Sequence, residues 1–208
     1  MSRVSRDVVE SRPDEIVEAC RQLYQNHTFH EITLKDISDR TSLSRPSIYN
    51  YFATKEEIFL ALLKKEYGMW ADDLEAILGS PSMDASYFSQ VMAAALDRRH
   101  LMLRIQCMDL YEIEEHSGTG ALVDFKRTYG RVLDLLESCL VKFFPQMDAQ
   151  ARERFIYTLL PFIYGLYAYV NPTRRQKAAM EECGIRYRRS TVYEMAKDAI
   201  CALTEGLA

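Results

Sequence analysis

The residues whose types and spacing suit chemistry cluster between Thr33 and Lys55. Arg45, Ser47, Tyr49 and Asn50 sit within six positions of one another, and apolar Ile48 and Phe52 run between them at a four-residue interval. On a helix that interval puts Ile48 and Phe52 on one buried side and leaves Arg45, Ser47, Tyr49 and Asn50 on or near the other. These are groups suited to reading double-stranded DNA. Arginine pairs with guanine and asparagine with adenine through two hydrogen bonds each, while hydroxyls and ammonium groups hold phosphates. Lys55 opens the next element and would hold the strand backbone. Thr33 and Lys35 stand at the front of the preceding one, where a helix N-terminus offers free N–H groups to a phosphate.

The elements that must position these residues are short helices. A first helix carries Pro13 in its first turn, a stripe of Ile16, Cys20, Leu23 and His27, and acidic Asp14 and Glu15 where the helix dipole favours them, and it ends near Asn26. Thr33 caps a second helix, with Asp36 at its N3 position and Thr41 at its end. Only Ser42 and Leu43 separate it from Ser44, the expected cap of a third helix from Arg45 to about Tyr51. That is the dimension of a helix-turn-helix. Thr54-Lys-Glu-Glu57 then forms a capping box that opens a long helix, its stripe Ile58, Leu62, Met69, Leu74 and Leu78, closed by Gly79-Ser-Pro81.

Beyond Pro81 the apolar spacing predicts helices over 84–98, 100–115, 120–143 and 148–170, a shorter one over 173–183 ended by Gly184, and a last one from Ser190 or Thr191. No sustained two-residue alternation of β-branched residues is present, so the fold class is all-α. The expected division is a helix-turn-helix domain over 1–53 and a larger helical regulatory and dimerisation domain over 54–208, in which 54–79 is the connecting helix.

Composition bounds the function. The chain has 208 residues, 26 Lys plus Arg against 30 Asp plus Glu, a formal charge of −4, 48% hydrophobic residues, 8 Gly and 6 Pro. These values exclude disordered and collagen-like classes. The uncharged run Phe155–Asn171 has 17 residues with Pro161 and four tyrosines inside it, and no membrane span is read there. The N-terminus carries charges throughout and lacks an apolar signal core, so the expected location is the cytoplasm. Cys20, Cys107, Cys139, Cys183 and Cys201 form no CxxC pair and are expected as small buried hydrophobes. Glu112 and His116 are four apart, but two ligands at a frayed helix end do not define a metal site. No metal or cofactor is assigned. There is no GxSxG elbow and no phosphate-cradling glycine loop, and the expectation is that the chain is not an enzyme.

The segment TLKDISDRTSLSRPSIYNYFATKEEIFLALLKKEY resembles the DNA-binding part of the tetracycline-repressor-like (TetR) family, and the likeness extends over residues 13 to about 67. It rests on Thr33, Leu34, Ile37, Leu43-Ser44, the run Ile48-Tyr49-x-Tyr51-Phe52 and Thr54-Lys55-Glu56-Glu57 together. The resemblance implies an all-helical homodimer that binds a palindromic operator and represses transcription until a small molecule enters its C-terminal domain. It implies that Lys35, Arg45, Pro46, Tyr49, Asn50 and Tyr51 face bases or backbone, and that Thr33, Ser47 and Lys55 hold phosphates; Ser44 belongs to the same surface. Two departures stand out. Ser42 occupies a turn position where many relatives have Gly, which costs on the order of 1 kcal/mol if that residue is left-handed. Residues 1–57 hold eight basic and ten acidic residues, a net of −2, so any positive field must come locally from Lys35, Arg45 and Lys55, joined by Arg3, Arg6 and Arg12.

The C-terminal part is read from its chemistry. Trp70, Met108, Tyr111, Phe125, Tyr129 and Phe162 are the expected lining of a pocket for a hydrophobic or aromatic effector, with Arg104 and Asp109 on one helix to fix a polar group. Aromatic side chains surround the helix over 155–171, so it must touch something besides its own core. The family resemblance implies homodimerisation through 152–170 and 191–207, with Gly165, Ala168, Ala199 and Ala202 allowing close approach. Arg174, Arg175, Lys177, Arg186, Arg188 and Arg189 form a basic run, expected as a solvated loop. The expected function is a ligand-responsive transcriptional regulator, a repressor, with operator DNA, the effector and a second copy as partners and no membrane. The alternatives are a helical small-molecule-binding interaction protein without operator binding, or an enzyme.

Overall fold

The computed structural model describes residues 6–205, with side chains from Arg12 onward. Arg3 and the side chain of Arg6 lie outside the described residues. Among the described residues there are eleven helices and no strand: α1 Arg6–Tyr24, α2 Leu34–Ser38, α3 Arg45–Ile48, α4 Lys55–Leu78, α5 Ala85–Asp97, α6 His100–Met108, α7 Leu110–Glu115, α8 Thr119–Phe143, α9 Ala149–Val170, α10 Arg174–Glu182 and α11 Val192–Glu205. None of these helices is long and apolar enough to cross a membrane. The chain packs as two compact bodies, residues through Lys65 with Asp109–Thr128, and Glu66–Met108 with the residues from Tyr129 on. Residues 54–65 and 109–128, placed in the second domain by the linear reading, therefore pack with the first body.

In the first body the stripe Ile16, Cys20, Leu23 and Tyr24 of α1 is buried together with Phe29, Ile37, Ile48 and Phe59. Phe59 stands edge-on to Tyr24 at 5.1 Å and to Phe29 at 4.9 Å. Burying each of these side chains contributes about 1.5–3 kcal/mol relative to leaving it in water. Two expectations are corrected here. Pro13 is not in the first turn of α1 but inside it, and the helix tolerates it because the ring already has helical φ and only the Val9 carbonyl loses its helical partner. The expected helix over 100–115 is broken at Asp109, whose backbone has φ −136° and ψ −4°. The Asp109 carboxylate accepts a hydrogen bond from the Tyr24 hydroxyl, a tertiary contact that residue spacing does not encode.

In the second body α11 packs along α5, and α9 packs against α6 and α11. Trp70, Phe88, Met92, Leu103, Phe155 and Ile200 are fully buried. Asp73 accepts from both Arg98, at 2.8 Å, and Arg99, at 2.7 Å. Gly184 closes α10 as expected, in a left-handed conformation with φ 68°. The Ile185 N–H donates to the Met180 carbonyl at 2.8 Å and the Gly184 N–H to the Glu181 carbonyl at 3.0 Å, the hydrogen-bond pair of a Schellman turn.

The cysteines divide by environment. Cys20 and Cys139 are buried, Cys107 and Cys201 are half-buried, and Cys183 is exposed at the end of α10, against the expectation of burial. Burial pushes the Cys20 thiol far above its ordinary range and the Cys139 thiol up to about 11. Because the thiolate is the reactive species, a thiol reagent applied to the native protein at neutral pH should label Cys183 first and leave Cys20 and Cys139 unlabelled until the chain is unfolded. Mass spectrometry of the labelled peptides checks this order.

Candidate nucleic-acid interface

The surface between Thr33 and Lys55 is built on two helices too short to hold themselves, five residues in α2 and four in α3. Caps and anchors fix them. At the front of α2, the Thr33 N–H donates to the Asp36 carboxylate at 2.9 Å and the Asp36 N–H to Thr33 Oγ1 at 3.3 Å, closing the expected capping box. The Thr33 hydroxyl and N–H together hold the Asp36 carboxyl below its ordinary range. The turn is tied back to α1, where the Glu15 carboxylate accepts from both the N–H and the hydroxyl of Ser42. No residue other than glycine has positive φ among the described residues, so Ser42 is not left-handed and the cost expected for it does not arise.

α3 is anchored by Ile48, fully buried, with Leu43 buried just before it. The chain continues past its last helical residue in tight turns, the Asn50 N–H donating to the Ser47 carbonyl and the Tyr51 N–H to that of Ile48. Around that anchor Arg45, Pro46, Tyr49 and Asn50 are exposed, and Ser47 and Tyr51 are partly so. Among the described residues Arg45 makes no ion pair. Ser44 occupies the cap position with extended backbone, φ −70° and ψ 154°, but its hydroxyl bonds the Ser47 hydroxyl at 2.8 Å in place of the expected backbone cap. Lys35 projects from α2 into solvent.

Lys55 is placed differently from its neighbours. Its ammonium group donates to the Phe29 carbonyl at 2.8 Å and lies over the Phe29 ring, 3.9 Å from the centroid. The expected Thr54–Glu57 box is half present: the Glu57 N–H donates to Thr54 Oγ1 at 3.2 Å, whereas the Glu57 carboxylate accepts from the Ala53 N–H at 2.7 Å and the Gly118 N–H at 3.1 Å.

These contacts account for the acidic excess of the first body. Glu15, Asp36 and Glu57 hold backbone N–H groups, Glu31 holds that of Thr28, Glu18 pairs with Arg21, and Asp14 with Lys65. The acids are spent on the scaffold, while Arg45 keeps its charge toward solvent.

The residues 109–128 that complete this body carry none of the expected DNA-facing groups. His30 meets Glu112 at 3.7 Å, the Thr54 hydroxyl donates to the His116 carbonyl at 3.4 Å, and Lys64 pairs with Asp124. Glu112 and His116 face different partners, the His116 ring nitrogen lying 2.9 Å from the Glu112 backbone carbonyl.

The six residues expected to line an effector pocket are divided between the two bodies. Tyr111 and Phe125 belong to the first body, where Tyr111 is 85% exposed and Phe125 buried; Trp70, Met108, Tyr129 and Phe162 belong to the second, where Met108 is 61% exposed. Met108 and Tyr111 flank the break at Asp109, which turns them outward. Trp70 is fully buried, packs edge-on to Tyr67 at 5.9 Å, and its indole N–H has no partner. Tyr129 lies beside Tyr67 at 5.7 Å. Gln106, which the sequence reading passed over, is buried, donates its amide N–H to the Tyr67 hydroxyl, and leaves its carbonyl oxygen without a partner. A glutamine on an otherwise apolar helix face was its available signal.

Residues 16–62 match the family of bacterial regulatory proteins, tetR family, and residues 64–208 match the tetracyclin repressor-like C-terminal domain. The chain belongs to the TetR family. Among curated relatives it is 24% identical over 128 residues to the transcriptional activator FasR of Mycolicibacterium smegmatis, a match covering 62% of this chain and 50% of that one. It is 29% identical over 72 residues to the transcriptional repressor AcnR of Corynebacterium diphtheriae, covering 35% and 38%. These matches thus span half or less of the relatives' length. Among solved structures the fold is shared with the regulator FadR of Bacillus subtilis in complex with stearoyl-CoA, at TM-score 0.59 and 15% identity, with 93% of this chain and 98% of that one covered.

The Lys55 geometry makes a specific prediction. If Lys55 is part of the scaffold, Lys55→Met lowers the stability of the DNA-free protein by about 1–2 kcal/mol, through loss of the hydrogen bond and of the charge over the ring. Denaturant unfolding measures it; unchanged stability would assign the side chain to DNA alone.

Proposed function

We propose that this TetR-family chain is a ligand-responsive transcriptional repressor that acts by binding, without turnover, in the cytoplasm. The observation that carries the reading is the exposed set Arg45, Tyr49 and Asn50, on α3 and the turn that continues it, around the buried Ile48. Arg45 and Asn50 read base edges, Pro46, Tyr49 and Tyr51 pack on the groove wall, and Lys35, Ser44 and Ser47 hold phosphates. Thr33 serves mainly as the cap that aims α2, because its N–H and hydroxyl are engaged by Asp36. Lys55 contributes its charge while it braces Phe29.

A palindromic operator requires two such surfaces about 34 Å apart. The helices α9 and α11 supply the contact between copies in this reading. The effector enters the second body, where the unpartnered indole N–H of Trp70 and the unpartnered Gln106 carbonyl offer one donor and one acceptor inside an apolar surround. Tyr129, beside Tyr67, belongs to the same neighbourhood. An effector with a long apolar body fits this chemistry, and the stearoyl-CoA bound to the Bacillus subtilis protein of the same fold makes acyl chains the first class to try. Such a ligand represses or releases only through different affinity for the two states of the protein.

The test begins with fragmented genomic DNA from the source, retained on the purified protein at near-physiological salt and sequenced. A short palindrome should be enriched. On that palindrome Arg45→Ala and Tyr49→Ala should each weaken binding by about 1–3 kcal/mol, read by fluorescence anisotropy. Wild-type affinity in both variants removes this surface from the interface.

A further inference from the structure

The helices α4 and α8 both start in the first body, at Lys55 and Thr119, and run on into the second. Their first turns are joined by one side chain. Glu57, on the first turn of α4, accepts from the Ala53 N–H at 2.7 Å with one carboxylate oxygen and from the Gly118 N–H, just before α8, at 3.1 Å with the other. The Thr54 hydroxyl donates to the His116 carbonyl at 3.4 Å beside it, and Lys64 pairs with Asp124 about two turns further along both helices. Glu57 thereby ties the segment that follows α3 to a backbone N–H 61 residues away from itself.

That segment, residues 49–53, carries the DNA-facing Asn50 and Tyr51 beyond the last helical residue of α3 and has few other fastenings. The Tyr51 and Phe52 N–H groups both donate to the Ile48 carbonyl, and the next N–H, that of Ala53, goes to Glu57. Packing does not take the place of these bonds. Phe52 is only half-buried, and a cavity of about 130 Å³ lies among Tyr51, Phe52, Leu60, Ala61, Ala121 and Phe125. A void of that kind removes the contacts that would otherwise fix the two rings, so the hydrogen bonds to Glu57 carry more of the positioning.

Gly118 keeps the space that the carboxylate needs. Its backbone does not demand glycine, because among the described residues only Gly184 has a positive φ. A Cβ at position 118, however, would lie 2.7 Å from Glu57 Oε1, inside van der Waals contact. The atom it meets is the free end of a flexible side chain, so an added methyl dislodges the carboxylate and leaves the fold in place. Gly120, two residues on, has nothing within 4 Å of the position its Cβ would take.

We infer that Glu57 and Gly118 are positioning residues for DNA recognition: the carboxylate clamps the segment 49–53, and with it the direction of Asn50 and Tyr51, to the start of α8. The inference rests on the DNA-binding reading above and adds to it a residue far outside the helix-turn-helix. Residues 16–62 match the N-terminal family model, whereas Gly118 falls in the span 64–208 that matches the C-terminal one. The reading surface is therefore completed by a backbone group from the regulatory part of the sequence. Neither residue touches DNA in this arrangement.

The experiment compares the full wild-type chain with Gly118→Ala, Gly120→Ala, Glu57→Ala and the Glu57→Ala/Gly118→Ala double variant. Hydrogen exchange followed by mass spectrometry reads residues 49–53 in the DNA-free protein, and fluorescence anisotropy reads binding to the palindrome that the wild type enriches. In Gly118→Ala, exchange over 49–53 should be about tenfold faster and palindrome binding about tenfold weaker. Gly120→Ala should match the wild type in both, and adding Gly118→Ala to Glu57→Ala should change neither further. Unchanged exchange in Gly118→Ala overturns the clamp and leaves the DNA-binding reading standing, since Arg45→Ala tests that reading by itself. Faster exchange with wild-type affinity overturns the positioning role. An equal effect from Gly120→Ala, or exchange that rises throughout the second body as well, assigns the change to general loss of stability and overturns it too. If the wild type enriches no palindrome, the operator reading and the role inferred from it fall together.

Discussion

Backbone N–H groups in short helices and turns must find acceptors, and the first body of this protein is organised around that requirement. A five-residue and a four-residue helix leave most of their N–H groups outside any helical ladder. Carboxylates from Asp36, Glu15, Glu57 and Glu31 fix the caps and turns that flank them, accepting from the N–H groups of Thr33, Ser42, Ala53 and Thr28. Without those acceptors Ile37 and Ile48 would have no fixed platform, and the side chains around Ile48 no fixed direction. The same requirement explains an electrostatic oddity. A domain of net negative charge can still present a positive reading surface, because its acids are turned onto backbone, Arg21 and Lys65 while Arg45 faces outward.

The parts of this arrangement that were legible in the sequence are those governed by residues three or four apart. Thr33 with Asp36, Thr191 with Glu194 and Gly184 at a helix end are local signals, and the structure uses each as a cap or stop. Apolar periodicity placed α5, α8, α9, α10 and α11 within a residue or two. What could not be read has partners far along the chain. Glu15 and Ser42 are 27 residues apart, Tyr24 and Asp109 are 85 apart, and Glu57 and Gly118 are 61 apart. Nothing in the sequence near Asp109 announces that its carboxylate will meet Tyr24, break a helix and turn Met108 and Tyr111 into solvent.

The residues expected to face an effector show a second limit. Aromatic and thioether side chains suit both a core and a pocket, so residue type does not separate Trp70, which is buried, from Tyr111, which is not. Unmet hydrogen-bonding capacity separates them better. A buried unpaired donor or acceptor costs about 1–3 kcal/mol, and a core that keeps two around Tyr67, at Trp70 and Gln106, gives up stability it could have had from leucine and phenylalanine. Retained polar atoms of that kind are a more specific pointer to a ligand than a count of aromatic rings.

The two halves of the proposal constrain each other through charge. With so few uncommitted cations around α3, one half-site neutralises few phosphates, and its affinity must be small and only weakly dependent on salt. Operator binding then depends on the second copy, which makes the second half-site contact effectively intramolecular. In such a protein the spacing of the two copies bears on DNA affinity as directly as the reading surfaces do. A contact that fixes each copy against the other is therefore as much a part of DNA recognition in this reading as Arg45 is.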